Sequence, residues 1–437
     1  MIQRVPVWFD TLRVGDIGVA DDGALSFAYS QKWLATDGAF PLSLTLPLQA
    51  EHHPSVVISP WLANLLPEED QLLVLTRSLG LDRTDTLAVL REIGGDTAGA
   101  LSFETPSVPA DWRWTPLTDF YEVDDPEAAL ERHFEDLQRR PFLAGEEGVR
   151  VSLAGGQRKS ALAVLDAAGK PVLRLPGDGD RLAVPRNGAP STVIVKPDNP
   201  RLPGIVENEA YCLHLASAAG IAAAEVSILH AGTRKAICVL RYDRRVGRTG
   251  RLQRIHQEDF AQANGIPPGR KYERGTRPGL SLPQLLGTGR HLPPAGALAL
   301  LDQLIFNILV ANTDAHAKNY SVLLPIGGDP QLAPLYDVSS VLPWPDVAQY
   351  FAQNIAGRKR KPADITADHW TAIAKAGGYR AGDVRLRVQE IVDALVAHRV
   401  AATNHVAALA GRSAGYAEQA ADLIEQNALR IAGRLRG

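Results

Sequence analysis

The sequence predicts an α+β protein with a β-rich subdomain at the N-terminus and an all-α lobe at the C-terminus. Residues 5–9 and 25–29 alternate apolar and polar side chains on either side of an Asp-Asp-Gly turn signal, a pattern typical of short strands. Apolar runs between residues 149 and 242 predict a second, small sheet. Beyond residue 255 apolar residues recur at helical spacing, as Leu298, Leu301 and Leu304 do, which predicts helices.

Length and composition predict a globular protein of more than one domain. A chain of 437 residues exceeds the size of one ordinary core, so we expect residues 1–105, 106–245 and 246–437 to form three parts. Hydrophobic residues make up 45% and charged residues 22%, as in soluble globular proteins. Because the net charge is only -3, nucleic acid would need a local basic patch.

The chain shows no sign of export or membrane insertion, and we expect a cytoplasmic protein. Arg4, Asp10 and Arg13 interrupt the start of the chain, where a signal peptide would be apolar. The most apolar stretch, residues 295–311, is interrupted by a charge and is too short to span a bilayer. Cys212 and Cys238 are too few for a disulfide framework and are predicted to be small core residues.

A polar cluster follows the apolar helix and carries the central motif of the chain. Asp314 and Asn319 have the spacing D-x-x-x-x-N, and Asp337 follows a predicted hairpin over residues 320–336. Protein kinases use an Asp at the first position as catalytic base, and the Asn and a later Asp as metal ligands. The alternative is an Asx-type turn in which these side chains only satisfy backbone groups.

A lysine and a glutamate upstream support the kinase interpretation. Lys196 ends an otherwise apolar strand over residues 192–197, where a charge is costly unless it is paired or near solvent. Glu209 lies on a helix predicted over residues 205–219 and shares a face with Cys212 and Leu213. A Lys196–Glu209 pair would satisfy both charges, as the strand-lysine and helix-glutamate do in kinases. The alternative is a separate surface charge at each place.

A glycine-rich loop precedes the lysine. Residues 154–159 contain Gly155 and Gly156, which permit close approach to phosphate, and Arg158 and Lys159 add positive charge. The loop matches neither of the common phosphate-binding patterns, so a simple hairpin turn remains the alternative. We expect His316 to orient the catalytic loop by hydrogen bonding, because its neighbours are not spaced for a zinc site.

The chain resembles the HipA family, the kinase toxins of bacterial toxin–antitoxin modules. The resemblance covers nearly the whole chain through short matches in a constant order. These matches are Arg13-Val14-Gly15, Pro41-Leu42-Ser43-Leu44, Asn64-Leu65-Leu66-Pro67, Glu92-Ile93-Gly94, Gly99-Ala100, residues 151–157 with Lys159, Asn208-Glu209, residues 241–245, Gln257-Glu258-Asp259, Lys271-Tyr272-Glu273, residues 313–319 and Tyr336-Asp337.

The resemblance implies a bilobal protein-kinase-like fold with an added N-terminal subdomain, and the use of ATP and Mg²⁺. It implies that Asp314 is the catalytic base, that Asn319 and Asp337 hold Mg²⁺, and that residues 239–242 form the hinge against adenine. The implied ATP site consists of Ser152, Ala154, Gly155, Gly156, Gln157, Lys159, Lys196, Glu209, Leu240, Arg241, Tyr242, His316, Lys318, Asn319 and Asp337. Leu240 stands where a carboxylate is expected, which matters little if the hinge acts through its backbone.

The resemblance also implies regulation and partners. Ser152 matches the serine that family members autophosphorylate, which throws the loop out of the site and disables the enzyme. The implied partners are a HipB-like helix-turn-helix antitoxin dimer, operator DNA held through that complex, and a translation component such as glutamyl-tRNA synthetase, an aminoacyl-tRNA synthetase, as substrate. The expected outcome is growth arrest and persistence.

Two rival functions and one basic cluster complete the expectations. The chain could instead be a catalytically silent co-repressor, although a scaffold has no need of the full Asp314, Asn319 and Asp337 set. A small-molecule or lipid kinase of related architecture is the other alternative. The dense basic run Arg358-Lys359-Arg360-Lys361 is either a solvated loop or a contact to operator DNA phosphates.

Overall fold

The computed structural model describes residues 3–273 and 278–435. The chain divides into two compact units. The first comprises Met1–Pro197, Leu229–Pro268 and Val322–Asp329, and the second comprises Asp198–Ile228, Gly269–Ser321 and Pro330–Gly437. Each unit therefore contains segments from distant parts of the sequence.

The N-terminal hundred residues form an antiparallel sheet with the strand order β4-β3-β2-β1-β6 and three helices of eight or more residues. Alternating residues such as Val5 and Val7 point into the core and are fully buried, as period-two patterning requires. The elements are β1 (Gln3–Phe9), β2 (Leu12–Val19), β3 (Leu25–Tyr29), α1 (Gln31–Leu34), β4 (His53–Pro54), α2 (Ser55–Ala63), α3 (Glu69–Leu79), α4 (Thr86–Ile93), β5 (Asp96–Thr97) and β6 (Leu101–Phe103).

The middle of the chain forms a second antiparallel sheet, in which β14, β12, β9, β11 and β7 follow one another. β9 and the central strand β12 consist almost entirely of buried residues, which explains why they are continuous apolar runs. The elements are β7 (Arg113–Pro116), α5 (Leu117–Tyr121), α6 (Pro126–Arg139), β8 (Val151–Ser152), β9 (Ser160–Leu165), β10 (Pro171–Val172), β11 (Arg181–Arg186), β12 (Val193–Pro197), α7 (Ile205–Ala218), β13 (Val226–Ala231), β14 (Arg234–Leu240), β15 (Arg244–Val246), β16 (Leu252–Arg254) and β17 (His256–Asp259).

The C-terminal part is mainly helical, and its described residues include the short strands β18 and β19. Its core is the apolar stripe of α10, which includes the fully buried Ile305 and Phe306. Among the described residues, no helix is long and apolar enough to cross a bilayer. The elements are α8 (Phe260–Ala263), α9 (Leu282–Gly287), α10 (Pro294–Leu309), β18 (Ser321–Leu324), β19 (Gln331–Leu332), α11 (Ala367–Gly377), α12 (Ala381–Ala410) and α13 (Ala414–Gly433).

The structure confirms the α+β class and corrects several local expectations. Residues 149–153, at the start of the region expected to form the second sheet, contain only the two-residue strand β8, and the return strand of the predicted hairpin is only β19. Residues 104–118 lie between the two regions of predicted strands, yet they contribute β7 to the second sheet. Leu298 is not part of the buried stripe of α10, because its side chain is 56% exposed. Cys212 and Cys238 are buried free thiols, and burial raises the pKa of each to about 12.

Candidate active site

The helix α10 ends in a turn that leads directly into the polar motif at residues 312–319. Ala311 adopts a left-handed conformation with φ of 58°, which is uncommon for a residue with a Cβ. The Asn312 amide donates to the Asn307 carbonyl at 2.8 Å, and the Ala311 amide donates to Ile308 at 3.1 Å. This bond pattern is a Schellman motif, which satisfies the last carbonyls of the helix and redirects the chain.

The loop from Asp314 to Asn319 is braced by its own hydrogen bonds. The Asn319 side-chain amide donates to the Asp314 carbonyl at 2.9 Å, and the Asn319 backbone amide donates to the His316 carbonyl at 2.9 Å. The Lys318 amide donates to Nδ1 of His316 at 3.3 Å. The Asp314 backbone amide donates to the side-chain oxygen of Asn312 at 3.2 Å. The D-x-x-x-x-N spacing therefore closes one compact loop.

The loop exposes one side chain and buries the others. Asp314 is exposed, whereas His316, Lys318 and Asn319 are each 6% exposed. Burial, followed by the positive charge of Lys271, holds the pKa of His316 well below its usual range, so the ring is neutral at physiological pH. A neutral ring that accepts on Nδ1 carries its proton on Nε2. The arrangement presents a single carboxylate to an incoming group.

The segment that carries Asp337 is anchored on both sides. Before it, Leu335 exchanges backbone hydrogen bonds of 2.8 Å with Ala222 and Ala224. After it, the side chain of Asn208 on α7 accepts from the Ser340 amide at 2.7 Å and donates to the Ser340 carbonyl at 2.9 Å. Asp337 itself is left-handed with φ of 57°, a strain often found at functional sites.

These hydrogen bonds hold the Asp337 segment against the catalytic loop and against α7, all within the second unit. The Val341 amide donates to the Ala311 carbonyl at 3.1 Å, which joins the Asp337 segment to the start of the catalytic loop. The charge of Asp337 also acts on the pKa of His316. Glu209 follows Asn208 on α7 and is buried, as are Cys212 and Leu213 on the same face.

Lys196 and the glycine-rich loop lie in the first unit. Lys196 is buried on β12, and its backbone pairs with Ile237 on β14. On the other side of β12, Val195 pairs with Ser160, the residue that follows Lys159. The lysine and the end of the loop are therefore on adjacent strands. The pairing of Lys196 with Glu209 stays a prediction.

The glycine-rich loop is packed against the N-terminal subdomain. Gly155 has φ of 106°, a backbone conformation that residues with a Cβ rarely adopt, so glycine is favoured there. The Gly155 carbonyl accepts from the Glu68 amide at 3.3 Å, and Lys159 donates to the Ala154 carbonyl at 2.8 Å. Gly156 and Gln157 complete the same loop. The loop is thus a defined structure and more than a simple hairpin turn.

Ser152 is held inside the first unit. Its strand β8 pairs in parallel with β5, where Val151 faces Asp96 and Ser152 faces Thr97. The hydroxyl is fully buried and donates to the Leu65 carbonyl at 2.7 Å. The serine is therefore shielded by the N-terminal subdomain in this conformation.

The predicted hinge segment has a structural as well as a candidate binding role. Leu240 ends β14 opposite Val193, and the Arg241 amide donates to the Thr192 carbonyl at 2.9 Å. The Arg241 guanidinium is buried and binds both carboxylate oxygens of Asp243, at 2.9 and 2.6 Å. Within Arg241, the guanidinium is therefore committed to Asp243, and the backbone carbonyl is the candidate for contact with a nucleotide.

The basic run forms a surface turn in the second unit. Ile355 and Arg358 form an isolated antiparallel bridge around Ala356 and Gly357, which both have positive φ. Arg358, Lys359 and Lys361 are exposed, and Arg360 is half-buried. The turn therefore presents positive charge to solvent.

Comparison of the sequence with family models assigns the chain to a known family. A model described as the HipA-like C-terminal domain matches residues 151–401, and a model described as the HipA N-terminal domain matches residues 5–104. The chain belongs to the HipA family. This membership confirms the resemblance inferred from the short motifs, and with it the protein-kinase-like fold and the identification of the chain as a serine/threonine protein kinase.

Individual relatives agree with the family models. The chain is 39% identical over 393 residues to a protein of Sinorhizobium fredii (strain NBRC 101917 / NGR234) named "Putative kinase Y4mE", covering 90% of each. It is 35% identical over 359 residues to the serine/threonine-protein kinase toxin HipA of Shewanella oneidensis, covering 79% of this chain and 76% of that one. A solved structure titled as the HipA, HipB and operator DNA complex of Shewanella oneidensis MR-1 aligns with a TM-score of 0.79 at 27% identity, covering 99% and 98%.

Two features of the site were not predicted from the sequence. One is the cover that Leu65 and Glu68 provide for Ser152 and the glycine-rich loop, and the other is Tyr272, whose hydroxyl donates to Asp314. Their segments were among the short matches to the HipA family, which was the available signal. Nothing local in either segment indicated which residues it would contact.

Proposed function

We propose that this HipA-family kinase phosphorylates a protein component of translation, with glutamyl-tRNA synthetase as the first candidate, and so arrests growth and promotes persistence. The observation that carries the proposal is the exposed Asp314 carboxylate on a loop closed by Asn319. A catalytic base for a protein substrate must be reachable by a side-chain hydroxyl, and Asp314 meets that requirement. As a kinase that consumes ATP, the protein is proposed to act in the cytoplasm.

We assign the roles of the site residues from the family pattern. Asp314 accepts the proton of the attacking hydroxyl, Lys196 binds ATP phosphates, and the backbone of residues 239–242 contacts adenine. Asn319 and Asp337 suit Mg²⁺, because carboxylate and amide oxygens are the ligands that this ion prefers. The amide nitrogen of Asn319 is committed to the Asp314 carbonyl, so its oxygen is the atom left for a cation. When bound, Mg²⁺ would neutralise charge on the transferring phosphates.

The class of acceptor can be tested by an assay with γ-labelled ATP. We expect label on glutamyl-tRNA synthetase or on another protein of a bacterial extract, and none with Asp314→Ala. Transfer to a metabolite but to no protein would instead support a small-molecule kinase. Absence of transfer and of ADP formation with both proteins would leave a silent co-repressor as the function.

Ser152 is proposed as an autophosphorylation site that switches the enzyme off. A phosphoserine carries close to two negative charges at neutral pH. The Ser152 hydroxyl is fully buried against Leu65, and a charged phosphate at this position would lose its contact with water. Phosphorylation would therefore require β8 to separate from β5. Since β8 leads into the glycine-rich loop, its departure would dismantle the proposed phosphate-binding segment.

The prediction for Ser152 concerns the time course of activity. After incubation with ATP and Mg²⁺, we expect one phosphate on Ser152 by peptide mass spectrometry, faster hydrogen exchange at β8, and at least about tenfold weaker ATP binding. Ser152→Ala should retain the initial rate and lose the decline. Ser102→Ala is a matched control, because Ser102 is also buried and also donates to a carbonyl, that of Thr105. A decline of equal size in Ser152→Ala would exclude this switch.

We further propose that the kinase binds a HipB-like helix-turn-helix antitoxin dimer and, through it, operator DNA. The solved Shewanella oneidensis complex of HipA, HipB and operator DNA supports this assembly. The exposed basic turn at residues 358–361 is a candidate for phosphate contacts. Replacing its four basic residues by alanine is expected to reduce the salt dependence of operator binding by the complex. An unchanged salt slope would assign the turn to solvent.

A further inference from the structure

Tyr272 makes a contact with the catalytic loop that the known roles of kinase residues do not explain. Its hydroxyl donates a hydrogen bond to Oδ1 of Asp314, although the two residues are 42 positions apart. Both residues belong to the second unit. A donor on one carboxylate oxygen restricts rotation of the carboxylate.

The backbone on both sides of Tyr272 is fastened to the catalytic region. The Lys271 carbonyl accepts from the Ala317 amide of the loop at 3.2 Å. The Glu273 amide donates to the Ala352 carbonyl at 3.1 Å, and the Glu273 side chain accepts from the Asn354 amide at 2.8 Å. Tyr272 therefore stands between two fixed points.

The ring of Tyr272 and its backbone carbonyl also make fixed contacts. The ring packs edge-on against the buried His316, with 5.0 Å between ring centroids and 86° between planes. The Gly279 amide donates to the Tyr272 carbonyl at 3.2 Å. A Cβ at Gly279 would come within 1.8 Å of the Arg270 carbonyl oxygen and 2.7 Å of the Tyr272 carbonyl oxygen, so only glycine allows this closure.

We propose that Tyr272 is a positioning residue that holds the carboxylate of Asp314 in the orientation needed for proton transfer. A gate that leaves when substrate arrives would need a mobile mount, whereas Tyr272 is fastened on both sides and through its ring. Catalytic side chains act efficiently when neighbouring hydrogen bonds lock their rotamers. This proposal deepens the proposed function and rests on the assignment of Asp314 as the base.

The test compares Tyr272→Phe with the unaltered full chain by ADP formation, which reports phosphoryl transfer to any acceptor. We expect the rate at saturating ATP to fall about tenfold, because the base loses its alignment. The ATP concentration for half-maximal rate should not change, since the hydroxyl contacts the base. The acidic limb of the pH–rate profile should move to higher pH, because a carboxylate that has lost a donor takes up a proton more readily.

Controls separate this inference from the proposed function. Tyr379→Phe removes a hydroxyl that donates to the Ala297 carbonyl at 3.1 Å and should leave the rate and the pH profile unchanged. Asp314→Asn is measured in the same assay. If Asp314→Asn is inactive while Tyr272→Phe matches the unaltered chain in rate and pH profile, only the role of Tyr272 is overturned, and a faster Tyr272→Phe overturns it in favour of a gate. If Asp314→Asn keeps full activity, the proposed function itself fails.

Discussion

Replacing Asp314 by asparagine is expected to lower phosphoryl transfer by about a hundred- to ten-thousandfold, the range that a positioned general base contributes. Asparagine preserves the size of the side chain and cannot accept the acceptor's proton. The backbone contacts that define the loop, from Asn319 to the Asp314 carbonyl and from Asp314 to Asn312, remain available. The loss should therefore concern the chemical step, and the ATP concentration for half-maximal rate should be little changed.

Stability measurements provide the control for Asp314→Asn. Because the side chain is exposed, its replacement should change the free energy of unfolding by no more than about 0.5 kcal/mol. Thermal unfolding of the variant and of the unaltered chain should therefore coincide. A transfer rate above a tenth of the original, in a variant that is correctly folded, would remove Asp314 from the role of base.

Replacing Asp96 by alanine is expected to destabilise the first unit by about 3–5 kcal/mol, the usual cost of breaking a buried ion pair. Asp96 accepts from Arg244 at 2.9 Å and from Nε of Arg254 at 2.9 Å, and it lies 3.4 Å from Arg241. The Ser191 hydroxyl adds a hydrogen bond of 2.6 Å. All four partners are buried, so the alanine variant would leave several buried donors with one acceptor fewer.

The pH dependence of this effect follows from the direction of the pKa shift. Burial alone would raise the pKa of Asp96, but Arg244, Arg254 and Arg241 outweigh it and hold the pKa below its usual range. A lowered pKa in the folded state stabilises the protein above the unfolded pKa and loses that stabilisation as the pH falls through the folded value. The destabilisation by Asp96→Ala should therefore be constant between pH 6 and 9 and should shrink only in acid.

The measurement is the denaturant concentration at the midpoint of unfolding of the first unit. The transition of this unit has to be followed separately, since a chain with two units need not unfold in one step. Hydrogen exchange should quicken at β5 and also at β8, because Asp96 lies on the strand that pairs with the Ser152 strand. Asp37→Ala, at an exposed carboxylate, is the matched control and should change little. An Asp96→Ala midpoint equal to that of Asp37→Ala would show that the arginines find other partners.

Much of the secondary structure could be predicted because it depends on neighbours in the sequence. The helix α7 was expected over residues 205–219 and is observed as Ile205–Ala218, since it ends just before Gly220, whose φ of 81° favours glycine. β3 was expected and observed over the same five residues. β2 was missed because Gly15 and Asp16 weaken its pattern, although pairing with both β1 and β3 stabilises it.

The candidate site divides in the same way. The catalytic loop closes through contacts among residues at most five positions apart, so the spacing of Asp314 and Asn319 already predicted it. The buried partners of Arg241 include Thr97, 144 residues away, and the sequence near Arg241 suggested only a hinge. Likewise Ser152 is covered by Leu65, 87 residues away.

The family, the kinase activity and the residues proposed for chemistry could be predicted from the sequence, because these depend on residue types at short, constant spacings. The folded structure was needed to show that Asp314 is exposed while Ser152 is buried, and that the Arg241 side chain binds Asp243 and Asp96. It was also needed to show that Tyr272 contacts the proposed base. Burial and long-range pairing arise from the packing of segments distant in sequence, and no local pattern specifies which segments will meet.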